Sequence, residues 1–307
     1  MKYLVTGTTI VDYPRFPDGT GVDNVLGGCG VYSYSGVRML TDEVEFTAKT
    51  GEDFDEYFGE YFRLNNISTD YLDVVTPHLM RTRIEYRANG SYRAVPVPGS
   101  PSYDEAPELH CRTESFTKYF PLVEKGLYCF NNVRGAAEAR DQYGFRIMLE
   151  GATGVGPEYR DELLEGARLA DIYSLNSNEC KDIFRLQTEE ECYETLLGIG
   201  RPCFFRLGTK GAAMIADGRS YFVPIVHVTD HEKDPTGCGN SSTAAAMWAW
   251  FEGYDPLMTT CIANTVAAYN SVQFGPVPRF TKELRENIFK KAEEVYKENK
   301  NSYSVGL

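Results

Sequence analysis

The chain has 307 residues and a mass of 34.5 kDa, which favours one α/β domain with a small accessory element. Its 42% hydrophobic and 24% charged residues are ordinary globular values and exclude a disordered or fibrous chain. The formal net charge of −13 disfavours nonspecific nucleic-acid binding, because that binding depends on a basic surface that neutralises phosphates.

Apolar segments and cysteine spacing indicate the cellular compartment of the protein. No segment reaches the roughly 18 to 20 uncharged apolar residues of a membrane helix. The apolar start, interrupted at Asp12, is too short for a signal peptide. The eight cysteines form no C-x-x-C pair, and several lie in apolar runs, as buried thiols do. We predict a reduced, cytoplasmic protein with no membrane or nucleic-acid partner.

The first third of the chain alternates strand and helix. Residues 2–7 form an apolar run that ends in glycine and predicts a buried strand. Two prolines, two glycines and two aspartates predict a loop over 12–21. The Gly27-Gly28 pair then directly precedes a helix predicted over 31–40. A strand and an amphipathic helix follow, over 45–50 and 53–65.

A different pattern occupies the next segment. Residues 82–87 alternate in the manner of a strand, Asn89-Gly90 is a strong hairpin signal, and a second strand is predicted over 92–95. The sequence therefore predicts an exposed β-hairpin inserted into an α/β chain.

From Leu127 onward the strand–helix alternation resumes. Five further strands are predicted, over 127–130, 145–149, 172–174, 203–206 and 212–216, with helical stretches between most of them. The alternation predicts one domain over 1–307, built on a doubly wound, mostly parallel sheet with helices on both faces.

The most informative segment is the glycine-rich run from Asp234 to Asn240. It lies between a strand predicted over 221–228 and a small-residue helix predicted over 241–251. A glycine-rich turn that opens onto a helix presents backbone N–H groups at the positive end of the helix dipole, which is an anion site. The alternative is a tight turn in which Asn240 or Ser241 only caps the helix.

Three further motifs share a chain order with this loop. Residues 176–179 fit N-x-x-E, residues 207–211 fit L-G-x-x-G, and Asn264 lies in a C-terminal helix. Together with Asp12 and Gly27-Gly28, they make the chain resemble the ribokinase or PfkB carbohydrate-kinase family over nearly its whole length.

The resemblance implies a ribokinase-like α/β fold with a small β lid, contributed by residues at about 11–25 and 71–98. It implies transfer of the γ-phosphoryl group of ATP to a hydroxyl of a sugar or sugar-like small molecule. The implied cofactors are ATP and Mg²⁺ and, in many members, K⁺. Lids in this family often mediate dimers, so a homodimer through the lid is a further expectation.

The resemblance also assigns residues. The acceptor side is expected to consist of Asp12, Gly27, Gly28 and Asn132, and the nucleotide side of Asn176, Gly208, Gly211 and Asn264. Without the resemblance, Asp12 reads equally well as a turn residue before Pro14. Asn264 alone reads more readily as a buried amide satisfied by the backbone.

The remaining assignments concern charge at the phosphates. Glu179 is expected to organise Mg²⁺ through water, because Mg²⁺ keeps several of its waters; otherwise it is a solvated carboxylate at a helix start. The N–H groups of Gly237, Cys238 and Gly239 are expected to stabilise the transferring phosphoryl group. Asp234 and Thr236 resemble the part of the loop beside a monovalent cation.

The chain departs from the family at the position of the general base. The family motif ends in an aspartate that takes the proton from the attacking hydroxyl, and Asn240 stands there. An amide cannot take up that proton, and loss of a general base typically costs about 10²- to 10⁴-fold in rate. Because positioning and charge stabilisation carry most of phosphoryl transfer, we expect a slow or differently wired kinase. The candidate replacement bases, with Asp12 ranked first, are Asp12, Glu150, Asp230 and Glu232.

Two other departures indicate altered pockets. Tyr32 stands where many sugar kinases of the family carry asparagine, and Arg206 stands where a threonine near the nucleotide is usual. The hairpin carries four arginines that predict either a solvated lid face or a contact to an anionic acceptor: Arg81, Arg83, Arg87 and Arg93.

Three other functional classes were weighed. A catalytically impaired homologue that binds a sugar or nucleotide is the main alternative, supported by Asn240 alone. A dinucleotide-dependent oxidoreductase is disfavoured, because the first strand is not followed by G-x-G-x-x-G. Thiol chemistry at Cys238 would require its helix N-terminus to lower the thiol pKa.

Overall fold

Two β-sheets organise the chain in the computed structural model, which describes residues 1–88, 92–101, 105–110, 112–151 and 155–300. The thirteen strands of the described residues are β1 (Tyr3–Thr8), β2 (Ile10–Arg15), β3 (Val25–Gly27), β4 (Val44–Gly51), β5 (Leu72–Thr76), β6 (Met80–Tyr86), β7 (Tyr92–Pro96), β8 (Gly126–Phe130), β9 (Arg146–Glu150), β10 (Ile172–Asn176), β11 (Cys203–Arg206), β12 (Gly211–Ala216) and β13 (Arg219–Pro224).

The larger sheet has nine strands in the order β13-β12-β11-β10-β9-β8-β1-β4-β5. Every pair from β5 through β11 is parallel, and only β12 and β13 run antiparallel to their neighbours. The strand order reverses direction at β1, which places a topological switch point between β1 and β8. Open α/β sheets bind ligands in the crevice at the carboxyl ends of the strands beside such a point.

Helices cover both faces of this sheet. The described residues contain nine: α1 (Cys29–Arg38), α2 (Phe54–Leu64), α3 (Ala136–Tyr143), α4 (Arg160–Leu169), α5 (Ser177–Phe184), α6 (Glu189–Ile199), α7 (Cys238–Glu252), α8 (Pro256–Asn270) and α9 (Lys282–Asn299). Helices α1, α2, α7, α8 and α9 share one buried apolar cluster, and α3 to α6 share a second. The predicted doubly wound, mostly parallel sheet is confirmed.

The smaller sheet has four strands in the order β3-β2-β6-β7 and is the lid. Strands β6 and β7 pair antiparallel, as the hairpin pattern predicts, while its turn at Asn89-Gly90 lies outside the described residues. Within the segment 71–98 that was expected to contribute to the lid, β5 instead pairs with β4 and closes the edge of the larger sheet.

The loop predicted over 12–21 is wrong at its start. Asp12 lies on β2, which continues to Arg15 and pairs with β6 along its whole length. Pro14 is tolerated within the strand because pairing of β2 with β3 ends at Asp12 opposite Val25, so no ladder bond on that side needs an N–H at Pro14. Strand β2 thus places Asp12 in the lid sheet itself.

The cysteines agree with the sequence interpretation where the structure describes them. Seven are free thiols, five of them buried, and Cys111 lies outside the described residues. Among the helices of the described chain, none combines the length and apolarity needed to cross a membrane.

Candidate active site

A cavity of about 870 Å³ lies between the lid and the carboxyl ends of the central strands. Thr8 and Phe130, at the ends of β1 and β8, both line it, so it occupies the crevice beside the switch point. Eight of the predicted site residues also line it: Asp12, Gly28, Asn132, Asn176, Thr236, Gly237, Gly239 and Asn240. Motifs spread over more than 200 residues of sequence therefore meet in one cavity.

Three predicted nucleotide residues do not line this cavity. Gly208 lies in a short 3₁₀ turn after β11, and Gly211 packs so closely on the backbone of β13 that a Cβ would overlap the Val223 carbonyl. The Asn264 amide donates to the carbonyl oxygens of Val223 at 2.9 Å and Pro224 at 3.2 Å. These contacts match the alternative of a buried amide satisfied by the backbone, and a nucleotide role for these residues stays a prediction.

The glycine-rich loop opens onto α7 as its pattern predicts. Gly237 has φ of 77°, and a Cβ there would overlap the Tyr32 ring, so both conformation and space require glycine. The Cys238 N–H donates to the Pro235 carbonyl at 3.1 Å. The N–H groups of Gly237, Gly239 and Asn240 have no acceptor among the described residues and are free for an anion, whereas the Cys238 N–H, which was also expected to contribute, is already engaged.

The Cys238 thiol is not activated by this position. Its Sγ donates to the Ala267 carbonyl at 3.4 Å, and burial raises the pKa of Cys238 to about 12. Desolvation therefore outweighs the helix N-terminus, and the surroundings of Cys238 do not support the hypothesis of thiol chemistry.

The N-x-x-E motif forms the N-terminus of α5. The Glu179 N–H donates to Asn176 Oδ1 at 2.9 Å, and the Asn176 N–H donates to Glu179 Oε2 at 2.8 Å, which is a capping box. Glu179 is not the solvated carboxylate of the alternative, because it is 5% exposed. Its second oxygen, Oε1, is buried without a partner among the described residues.

A cluster of charged side chains lies at the floor of the cavity, where Glu150 and Arg206 are lining residues and Glu179 is not. Arg206 Nη1 lies 3.0 Å from Glu150 Oε1, and Arg206 Nη2 lies 3.3 Å from Glu179 Oε2. Asn240 Nδ2 donates to Glu150 Oε2 at 3.1 Å, and the Tyr128 hydroxyl donates to the same oxygen. One guanidinium thus bridges two carboxylates beside the helix N-terminus.

Desolvation dominates the electrostatics of this floor. Burial raises the pKa of Glu150 above its ordinary value, while Arg206 and the hydrogen bond from Asn240 act in the opposite direction. Burial likewise raises the pKa of Glu179 against the opposing effect of Arg206. A single guanidinium does not offset two desolvated carboxylates, and the cluster retains an affinity for a further positive charge.

Sequence reasoning identified this cluster only in part. It listed Glu150 among four candidate bases and Arg206 only as a departure from the family. The signal for Glu150 is its place at the carboxyl end of a buried strand, where open α/β sheets put their ligand groups. The pairing of Arg206 with both carboxylates depends on the alignment of β9, β10 and β11, which the sequence does not state.

Asp12 is the second buried acid of the cavity. It is 5% exposed, and burial together with the negative charge of Asp234 raises its pKa to about 8, against a hydrogen bond from the Gly28 backbone. A Cβ at Gly27 would overlap the Asp12 carboxylate, so Gly27 leaves room for this acid. At neutral pH Asp12 is therefore largely protonated and can donate a hydrogen bond as well as accept one.

The inner face of the lid is mostly apolar. Strand alternation points one set of side chains at the cavity: Met80, Thr82, Ile84, Tyr86, Tyr92, Ala94 and Pro96. The arginines are not among the cavity-lining residues: Arg83 and Arg93 pair with Glu85, and Arg81 donates to the Gly99 carbonyl at 3.1 Å. The hypothesis that these arginines meet an anionic acceptor is not supported, and the solvated-face alternative fits.

One hydroxyl joins the lid to the glycine-rich loop. Tyr86 donates to Asp234 Oδ1 at 3.4 Å and is hydrogen-bonded to Thr236 Oγ1, and its ring stacks on Phe16 with centroids 5.6 Å apart. Asp234 Oδ1 also accepts from the Thr236 N–H at 2.9 Å. The lid is thus held over the N-terminus of α7.

The side chains of the site bear on how a metal ion would be held. The described residues hold no cluster of three or more histidine, cysteine, aspartate or glutamate side chains that could ligate a metal directly. The unpartnered Glu179 Oε1 suits a contact through water, which is how Mg²⁺ is commonly held beside phosphates. The residues present therefore fit a hydrated Mg²⁺ and not an all-protein metal cage.

Comparisons with known proteins agree with the architecture. No family model and no curated protein matches the chain. Among solved structures, a Burkholderia thailandensis nucleoside kinase in complex with inosine aligns with a TM-score of 0.73 at 15% identity, over 96% of this chain and 98% of that one. An Arabidopsis thaliana ribokinase complexed with ribose and ATP aligns with a TM-score of 0.69 at 18% identity, over 94% and 98%.

An E. coli protein assigned as ribokinase II, in complex with ATP and Mg²⁺, aligns with a TM-score of 0.73 at 16% identity, over 94% of this chain and 99% of that one. The chain has the fold of the ribokinase and nucleoside-kinase group. The resemblance stated from the motifs is confirmed at the level of the fold.

Proposed function

We propose that the protein transfers the γ-phosphoryl group of ATP to a hydroxyl of a sugar or sugar-like small molecule. The observation that carries the proposal is one cavity that joins the buried acid Asp12 to the free N–H groups at the start of α7. A hydroxyl-bearing acceptor and an anionic phosphoryl group need these two features side by side.

The residues divide into an acceptor side and a phosphate side. Asp12, the Gly28 backbone and Asn132, which all line the cavity, would orient the hydroxyls of the acceptor. The N–H groups of Gly239 and Asn240 would stabilise negative charge on the phosphoryl group as it moves. The apolar lid would exclude water that competes with the acceptor hydroxyl.

Glu179 would hold Mg²⁺ through water at Oε1. Bound Mg²⁺ would neutralise charge on the phosphates, and Asn176 holds the Glu179 side chain in place through the capping box. The fold neighbours that contain ATP support a nucleotide in this cavity. The proposals of a K⁺ site at Asp234 and Thr236, and of a homodimer through the lid, rest on the family resemblance alone.

A second candidate is a kinase-like binding protein with impaired turnover. Asn240 lacks a titratable base, and Arg206 already occupies one oxygen of Glu179, the expected magnesium residue. Under this alternative the charge cluster would serve binding only, and no acceptor would be phosphorylated.

An assay of ADP release separates the kinase from the binding protein. Mg²⁺-ATP is supplied with a panel of sugars, sugar acids and nucleosides, and the natural protein is compared with Asn240→Asp. Turnover of one acceptor by the natural protein supports the kinase. Activity confined to Asn240→Asp supports the binding protein. Absence of turnover in both, with ATP binding retained in calorimetry, also contradicts the kinase proposal for the acceptor classes tested.

A further inference from the structure

We propose that Glu150 is the general base of the reaction and replaces the aspartate that position 240 lacks. The inference rests on the proposed kinase function and goes beyond it, because it assigns the proton acceptor to another strand of the fold. Its basis is the position of the Glu150 carboxylate in the cavity floor.

The Glu150 carboxylate lies close to the side chain of Asn240. Glu150 Oε2 lies 3.1 Å from Asn240 Nδ2, so the two side chains meet at the start of α7. A carboxylate at position 240 would put its oxygen in that same neighbourhood, above the N–H groups that bind the phosphoryl group. Both residues line the cavity, and an acceptor hydroxyl that approaches Asn240 also approaches Glu150.

Hydrogen bonds orient the Glu150 carboxylate. Glu150 Oε2 accepts from Tyr128 and Asn240, while within the described part of the chain Arg206 alone donates to Oε1. A carboxylate oxygen has two acceptor sites, so Oε1 keeps one for the proton of a hydroxyl. Asn240 and Arg206 hold Glu150 in place and are positioning residues in this scheme.

Of the four candidate replacement bases, the other three do not contact Asn240. Asp230 and Glu232 are exposed and do not line the cavity, and Glu232 pairs with His227 at 2.6 Å. Asp12 lines the cavity, but its hydrogen bond comes from the Gly28 backbone in the lid region and no contact joins it to Asn240. Glu150 is therefore the acid that touches the position of the missing base.

The step balances without a further reactant. The acceptor oxygen attacks the γ-phosphorus and forms the new P–O bond, while the bond from the γ-phosphorus to the β–γ bridging oxygen breaks. The hydroxyl proton passes to Glu150 Oε1, and ADP leaves with the electron pair of the broken bond. The proton returns to solvent when the products leave.

The surroundings of Glu150 set its pH behaviour. Arg206 and Glu179 are the charged groups that face it, and Tyr128 and Cys29 are the other titratable neighbours. Burial raises the pKa of Glu150 above its ordinary value, and a base is active when deprotonated. The rising limb of kcat/KM with pH is thus expected above the usual titration range of glutamate.

The test is a complementation experiment on the full chain with the acceptor that gives turnover. Glu150→Gln is expected to lower kcat by about 10²- to 10⁴-fold, with ATP affinity in calorimetry changed by less than about threefold. The double variant Glu150→Gln with Asn240→Asp is expected to have a kcat at least tenfold higher than that of Glu150→Gln, because a carboxylate returns to the same place. Glu293→Gln, which changes an exposed acid on α9 outside the cavity, is the matched control and is expected to keep the kcat of the natural protein.

Each outcome is decisive for one claim. If kcat survives Glu150→Gln, or if the double variant is no faster than Glu150→Gln while both bind ATP, Glu150 is not the base although the kinase proposal stands. If Glu150→Gln does not fold, the pH profile of kcat/KM for Asn240→Asp is compared with that of the natural protein. A new carboxylate beside Glu150 must shift the pKa of the base, so an unchanged rising limb overturns the base assignment. Absence of turnover by the natural protein on every acceptor overturns the kinase proposal itself and the base assignment with it.

Discussion

The lid and the floor of the cavity place their charged side chains in opposite ways. The hairpin of the lid carries four arginines and turns most of its apolar side chains inward, so the arginine charges lie outside the cavity. The floor buries two carboxylates and one arginine in direct contact, at the end of strands that are otherwise apolar.

This difference teaches where specificity and chemistry reside. An apolar inner face excludes water but distinguishes acceptors only by shape. Buried charges orient the polar groups that they contact, and they cost free energy of folding unless they are paired. Changes to the floor are expected to have large effects that depend on pH, and changes to the outer face of the lid small ones.

The largest effect on stability is expected for Arg206→Leu. The change leaves Glu150 and Glu179 buried without their shared cation, and such a loss typically costs about 3–5 kcal/mol. Because the pKa values of both carboxyls are already raised, protonation relieves the defect, and the loss is expected to be smaller at pH 5 than at pH 8. Urea unfolding at both pH values measures this, with Arg83→Leu on the outer lid face as the control. An equal loss at the two pH values would contradict the buried-charge account.

The next effect concerns Asp12→Asn. The folded pKa of Asp12 is about 8 against an ordinary 3.8, so the native state holds a proton that the unfolded chain releases. The stability that this proton contributes is fully present below the ordinary pKa and is lost as pH rises through about 8. Asp12→Asn is expected to flatten the fall of Tm over this range and to be the more stable form above pH 8.

Thermal unfolding from pH 4 to pH 9 of both proteins tests that prediction. Parallel Tm curves would mean that Asp12 is not protonated in the native state. The same variant is expected to weaken acceptor binding by about 10-fold, since one hydrogen bond to a charged or polar partner is typically worth about 1–3 kcal/mol.

A smaller effect is expected for Tyr86→Phe, which removes the hydroxyl between the lid and the glycine-rich loop. One such hydrogen bond contributes about 0.5–1.5 kcal/mol, so KM for the acceptor should rise about three- to tenfold while kcat changes less. Steady-state kinetics with Tyr143→Phe, an exposed tyrosine outside the cavity, as the control checks the prediction. Equal losses of kcat and kcat/KM would place Tyr86 in the chemical step instead of lid closure.

The smallest effect is expected for Arg83→Ala. Its partner Glu85 and its own side chain are both solvent-accessible, and such pairs contribute about 0–1 kcal/mol. Acceptor KM and the free energy of unfolding should stay within experimental error of the natural protein. A tenfold rise in KM would restore the hypothesis that a lid arginine meets an anionic acceptor.

The outcome for individual residues shows how far sequence reasoning reached. Most strands and helices were predicted because apolar runs and glycine-rich turns are local signals, as at β1, β8 and the start of α7, whereas β2, β3 and β5 were not predicted. Asp12 was expected in a loop because Pro14 and two glycines dominate its surroundings, whereas pairing with β6 extends β2 through the proline. The lid arginines were recognised as a set, but their direction depends on the register of β6 within its sheet.

The sequence by itself determined the class of fold, the glycine-rich turn before α7 and the amide at position 240, because each is written in local residue order. Only the tertiary structure decided which carboxylate lies against Asn240 and where the charges lie. Neighbouring strands β9, β10 and β11 bring Glu150, Asn176 and Arg206 to one edge, and α7 places Asn240 against them. The physical reason is that desolvation and ion pairing depend on distance in space, which separations of 90 residues along the chain do not reveal.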